Sequence, residues 1–289
     1  MEYSKVKCNI CGSDDYQIVY RSNIGIISPS VEDYTSTVNR YSVFNNIVRC
    51  NCCGLVYMNP RDIGVSEFYK DVVDNVYLET WHERALTFNE HLEVIAKYKS
   101  CGKLLDIGCY AGIFLEQAQK KGYQVTGIEP STWASVYARN KTGVRVVNAS
   151  CNEKLFFPAE EFDLVTLWDV IEHLDDPSLC LSNVHTYLKR DGIVVITTHD
   201  IGSIIAKLMG KRYPWLMRFH LYHFTPATLS ALLLKNKLEV IFIKYYSKQF
   251  TLDYIFSRFG IKVKGKIFKR ITIPVNFGDM FMVIAKKCV

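Results

Sequence analysis

The sequence predicts an α/β fold, a doubly wound parallel sheet preceded by a small cysteine-rich module. Three observations predict it. From Lys103 onward, short apolar runs of strand length alternate with segments of helical periodicity. The stretch "LLDIGCYAG", 104–112, places an acidic residue and two glycines between such a strand and such a helix. The pattern C-x-x-C-G occurs twice near the N-terminus, at Cys8–Gly12 and Cys50–Gly54.

Composition sets the limits. The 289 residues suffice for one sizeable core and an accessory module, and 49% of them are apolar, as in ordinary globular chains. The formal charge of +6 suits an anionic substrate without specifying one. No apolar run reaches the roughly 18 residues that span a bilayer, and the N-terminus lacks the hydrophobic segment that directs export. Ten cysteines in such a chain point to reduced thiols, hence to the cytoplasm, and make metal binding the first chemistry to test.

The organisation follows in order. Residues 1–60 form the cysteine module, with strands expected at 16–20 and 41–48. Each C-x-x-C-G presents two thiolates from one turn, so Cys8, Cys11, Cys50 and Cys53 supply the closed tetrahedral set of a structural zinc ion. A redox pair is the alternative for either motif; Cys52 is a spare thiol. Residues 61–100 connect, carrying a helix in which Trp81, Ala85, Phe88, Leu92, Ile95 and Ala96 recur at helical spacing. Residues 101–289 form the main domain. Strands are expected at 103–107, 124–129, 144–148, 162–168 and 193–198, and helices at 113–121, 131–140 and 177–189, the last capped by Asp176.

The glycine turn decides the ligand class. A dinucleotide site brings a pyrophosphate against a helix N-terminus and wants G-x-G-x-x-G. Here Gly108 and Gly112 are four apart, and Asp106 ends the strand, where a carboxylate repels phosphate and favours a cation. S-adenosylmethionine carries a sulfonium and an ammonium and no phosphate. Glu129, ending the second strand, stands where acidic residues hold ribose hydroxyls in nucleotide folds.

The segments "LLDIGCYAG", "GIEPS", "LWDVIEHLDDP" and "LKRDGIVVITTHD" together resemble the class I S-adenosylmethionine-dependent methyltransferases over residues 103–200. The resemblance implies a Rossmann-like sheet of seven strands whose last strand, at 279–286, is antiparallel. It also implies that Gly108 and Gly112 lie under the methionine moiety, that Glu129 holds the ribose, and that Trp168 and Asp169 line the methionine end. Tyr110 stands where glycine is common, so its side chain either lines the cofactor or points outward.

The acceptor side is expected in residues 201–225, read as an aromatic lid. Two histidines there, His220 and His223, supply a base near neutral pH, with Tyr222 between them completing the candidate catalytic set. The "HLYHFT" run is similar to a segment of sugar-modifying methyltransferases that also carry a four-cysteine zinc module, which implies a nucleotide sugar or glycan precursor as substrate. In the sugar C-methyltransferases among them a histidine matching His220 acts as base, preceded by glutamate where this chain has Phe219. Asp169, Glu172 and His173 resemble the E-x-x-E-H run of ubiquinone-pathway O-methyltransferases, which raises a divalent metal and a quinone-type substrate as the alternative. An RNA methyltransferase is a further alternative, against which the module's lack of clustered lysine and arginine argues. The lysine-rich stretch 262–270 reads as a solvated face.

Overall fold

The computed structural model describes residues 3–24, 43–62, 73–153, 156–253, 255 and 271–288. The stretch 262–270 and most of the predicted strand's start at 41–42 lie outside the described residues.

The module opens with β1 (Tyr3–Ser4) and the strands β2 (Tyr16–Tyr20), β3 (Ile47–Cys50), β4 (Val56–Met58) and β5 (Arg61–Asp62). β2, β3 and β4 pair antiparallel, and the second C-x-x-C-G knuckle, Cys50–Gly54, reverses the chain between β3 and β4. Its inner residues Ile47, Val48, Val56, Tyr57 and Met58 are buried. α1 (Asn75–Glu79) and α2 (Trp81–Ile95) follow, the latter matching the helical spacing closely.

The main domain then winds through β6 (Lys103–Ile107), α3 (Ile113–Lys120), β7 (Gln124–Ile128), α4 (Thr132–Thr142) and β8 (Arg145–Val147). It continues with β9 (Phe162–Trp168), α5 (Pro177–Tyr187), β10 (Leu188–His199) and α6 (Ile204–Met209). β11 (Tyr222–His223), α7 (Pro226–Lys235), β12 (Leu238–Tyr245), β13 (Lys248–Thr251), β14 (Thr272–Val275) and β15 (Met280–Lys287) complete it. Local chemistry sets the helix starts. Ser131, Asp176 and Thr225 each accept a backbone N–H from the first turn of α4, α5 and α7, and Pro177 and Pro226 pre-set the backbone just inside two of them.

The seven-stranded sheet has the order β12-β15-β10-β9-β6-β7-β8. β6 to β10 run parallel, and β15 is antiparallel to both β10 and β12, as the resemblance implied. Strand order reverses between β6 and β9, so the crevice beyond their carboxyl ends is the natural ligand position. Apolar residues cover both faces: Leu92, Ile95, Phe114, Val195 and Met282 on one, Val165, Leu167, Val184, Leu229 and Leu232 on the other.

One connection departs from the sequence reading. Residues 213–224 do not stand over the sheet as a separate cover. Tyr213, Leu216, Leu221, Tyr222 and Phe224 are almost fully buried, and β11 adds to β4 as the fourth strand of the module's sheet. The physical reason is apolar content: this run carries too much apolar surface to remain in solvent, and β4 offers an unpaired edge beside it. Module and main domain thus share a core that runs from Ile47 and Tyr57 through Leu221 and Phe224 to Val165 and Leu167. A buried bidentate pair, Arg218 on Asp62 at 2.7 and 2.9 Å, fastens the same junction.

Candidate active site

Gly108 turns out of β6 with φ of 73°, and a Cβ there would stand 2.6 Å from Val170 Cγ2, so only glycine lets this turn lie against the one that follows β9. Gly112 takes φ of 85° at the start of α3, and Tyr110 between them also sits in the left-handed region at 44°. That conformation, strained for a side-chain-bearing residue, aims the Tyr110 amide at Glu129 Oε2 (2.8 Å). The Ser131 amide donates to Glu129 Oε1 (2.8 Å). Glu129 is fully buried, and burial pushes its pKa up to about 7 against the pull of those two amides. The Tyr110 side chain turns inward: the Asp74 amide donates to its hydroxyl (2.7 Å), and its ring meets Tyr77 edge-on at 4.7 Å between centroids.

Asp106 lies beneath this turn, 1% exposed, and accepts from the Thr166 hydroxyl at 2.7 Å. Burial raises its pKa well above the usual range, which that hydrogen bond opposes. Burial thus disfavours its charged form, so Asp106 does not stand as the free phosphate-repelling carboxylate that the sequence suggests. At the end of β9, Trp168 stacks on His91 (5.0 Å), and its indole N–H is buried with no partner among the described residues. Asp169 takes φ of 53° and receives bonds from the Thr197 hydroxyl (3.0 Å) and the Lys248 ammonium (2.7 Å). Burial alone would raise its pKa; Lys248 overrides this and holds it below the usual range. Lys248 belongs to β13, and no sequence signal linked it to the strand ends.

The residues expected to face an acceptor lie just past β9 and β10. Glu172, on the short turn after β9, accepts from Thr198 Oγ1 at 3.0 Å and lies 3.4 Å from His199 Nδ1. His220 sits beside them, its Nδ1–H donating to the Trp215 carbonyl at 2.9 Å, which leaves Nε2 with its lone pair. Burial, with His173, His199 and His223 adding to it, lowers the His220 pKa well below its ordinary value. Burial likewise drives His223 down to about 3. Both imidazoles are neutral at physiological pH. Tyr222 turns elsewhere: its hydroxyl donates to the Asp175 carbonyl and accepts from Arg61. Asp169, Glu172 and His173 do not converge, since Lys248 engages the first and the Phe219 carbonyl the ring of the third (3.0 Å). His199 was absent from the sequence reading, since it ends β10 with no motif of its own.

In the module, Cys8, Cys11, Cys50 and Cys53 bring their sulfurs within 4.8 Å of one another, with Cys8–Cys53 at 3.4 Å and Cys11–Cys50 at 3.5 Å. Four free thiols at these spacings fit one tetrahedral ion. Cys52 stands apart, its thiol on Ser13.

A seven-stranded sheet with one reversed strand and an acidic residue ending each of its first two central strands defines a nucleoside-cofactor enzyme of the methyltransferase type. The comparisons agree. A family described as "Methyltransferase domain" matches residues 80–242, over half of the chain. The chain belongs to that family, the class I S-adenosylmethionine-dependent methyltransferases, and is an enzyme of that kind.

Among curated relatives, the ubiquinone biosynthesis O-methyltransferase of Bradyrhizobium diazoefficiens is 30% identical over 148 residues, 48% of this chain and 58% of that protein. The same enzyme of Rhodopseudomonas palustris is 33% identical over 123 residues, 40% and 49% of the two chains. The chain thus spans about half the length of the curated relatives it matches. Among solved structures, an S-adenosylmethionine-dependent methyltransferase from Archaeoglobus fulgidus is similar with a TM-score of 0.53 at 21% identity, covering 74% of this chain and all of that one. A methyltransferase complex of Haloferax volcanii gives 0.56 at 14% identity, covering 78% and 98%. These likenesses concern the fold. Among the described residues no helix is long and apolar enough to cross a membrane.

Proposed function

We propose that this enzyme transfers the methyl group of S-adenosylmethionine to a hydroxyl of a small molecule, foremost a nucleotide sugar or glycan precursor. Asp106, Gly108, Tyr110, Gly112 and Glu129 form the cofactor cradle. Glu129, its oxygens already aimed by two amides, accepts the ribose hydroxyls, and Asp106 faces the cationic end. Trp168 and Asp169 border the methionine moiety, with the unpartnered indole N–H of Trp168 available to it. The sulfonium carries its own activation, so the protein's tasks are to align the acceptor and to take its proton.

The observation that carries the acceptor class is the buried group of Glu172, His199, His220 and His223 at the strand ends. A cluster of imidazoles beside a carboxyl group, with His220 and His223 held neutral by burial, serves a hydroxyl that must lose a proton, and His220 Nε2 is the candidate to receive it. His223 lies behind His220, and the tied hydroxyl of Tyr222 suits a positioning task. The four-cysteine set binds structural zinc, which keeps β3 and β4 in register under this cluster. The relatives' ubiquinone O-methyltransferase names support a second reading, a phenolic ring hydroxyl of a quinone precursor.

The test is release of S-adenosylhomocysteine with nucleotide sugars and, in parallel, with catechols bearing an isoprenoid chain. Turnover of a nucleotide sugar, lowered about a hundredfold or more by His220→Ala, supports the leading reading. Turnover confined to the catechols replaces it by the second, and turnover of neither sinks both.

A further inference from the structure

The cluster past β9 and β10 has a geometry that proton transfer alone does not call for. Glu172, His199 and His220 each bring one ligand atom to within 4.8 Å of the other two, and all three side chains are buried. Glu172 Oε1 and both ring nitrogens of His199 lack hydrogen-bond partners among the described residues. Leaving a buried polar atom unpaired costs about 1–3 kcal/mol each; the two nitrogens of one imidazole point apart, so Glu172 Oε1 and one nitrogen of His199 ask for a common partner. The contact between Glu172 Oε1 and His199 Nδ1, at 3.4 Å, is too long to be that partner.

We propose that Glu172, His199 and His220 bind one divalent first-row transition-metal ion. Two imidazoles and a carboxylate are a donor set for zinc, iron or cobalt that leaves positions open. The groups behind the ligands point the same way. The Thr198 hydroxyl holds the far oxygen of Glu172, and the Trp215 carbonyl takes the Nδ1–H of His220, so that Nε2 faces inward. Outer partners of this kind fix the orientation and tautomer of metal ligands. The indole of Trp215, 3.9 Å from the His199 ring between centroids, limits that ring's swing. His223, buried with a free Nε2, stands one ring further back. The set shares only Glu172 with the Asp169–Glu172–His173 run of the sequence, whose other two members are engaged elsewhere.

The proposal deepens the reading of the acceptor side and rests on it for its chemical consequence. An acceptor hydroxyl bound to the ion would ionise near neutral pH, releasing its proton to solvent before its oxygen takes the methyl and the methyl–sulfur bond breaks, and His220 would act as ligand rather than as free base. Binding of the ion itself requires no acceptor. The experiment is therefore a cobalt(II) titration of the metal-stripped, reduced full-length chain, followed by absorbance. The cysteine set gives near-ultraviolet thiolate charge-transfer bands. The expected result is a second equivalent with visible ligand-field bands and no added charge transfer. Glu172→Gln and His199→Gln should each weaken that equivalent by about tenfold or more, while the thiolate bands report that the fold persists. Saturation at the cysteine set alone, or a second equivalent unchanged in both variants, overturns the proposal. Neither result touches the acceptor panel, whose failure would be seen separately.

Discussion

Glu129 shows how a residue's burial becomes a measurable property of the enzyme. Its carboxyl is raised to about 7 in the folded protein, against an ordinary value of 4.5. Folding therefore favours the protonated form, and the ionised form needed to accept two ribose hydroxyls is scarce below that pH. Affinity for S-adenosylmethionine should rise with pH by up to about tenfold per unit between about pH 5 and 7, then level off. Calorimetry across this range would show the slope, and Glu129→Gln should flatten it and weaken binding by about tenfold to a hundredfold, the worth of one charge-assisted hydrogen bond. Asp106, Gly108, Gly112 and Glu129 were legible as a set because the tasks proposed for them are ones that few residue types can perform. Tyr110 was legible only as a question. Its inward turn depends on Asp74 and Tyr77, contributed from a different part of the chain.

At the scale of elements, two turns meet over the cofactor crevice, the one after β6 and the one after β9. Gly108 lies against Val170, and Val170 leads directly to Glu172. Gly108→Ala should destabilise the protein by about 2 kcal/mol, from the left-handed backbone and from the encounter with Val170. It should also displace the turn that carries Glu172. Urea unfolding would measure the first effect, and Gly108→Ala combined with Val170→Ala should recover part of it. No recovery of stability by the double variant would place the strain in the backbone alone. The strands and helices of the main domain were readable because their apolar periodicity and caps are local. β10 was foreseen as 193–198 but extends over Leu188–His199, since its pairing with β9 resumes beyond a bulge that no local pattern marks.

At the scale of the whole molecule, β11 joins the cysteine module to the acceptor side. The strand that carries His223 pairs with β4, which leads out of the second knuckle, and His220 lies two residues ahead of it. Loss of the knuckle's metal should therefore reach the histidine cluster before it reaches the cofactor cradle. Cys11→Ser should lower methyl transfer by about tenfold or more, with affinity for S-adenosylmethionine changed far less. Hydrogen exchange should quicken in β4 and β11 and stay slow in β6 and β9. Equal loosening of all four strands would refute this division.

By itself the sequence determined the α/β class, the glycine turn after β6, the reversed last strand through its family resemblance, and the four cysteines that meet in space. Each of these is written in local spacing or in residue types that tolerate little substitution. Only the tertiary structure decided that residues 213–224 are core and not cover, that Lys248 meets Asp169, and that His199 completes a cluster with Glu172 and His220. Those contacts join segments tens of residues apart. Packing and strand pairing bring them together, and no periodicity within any one segment records the partner it will meet.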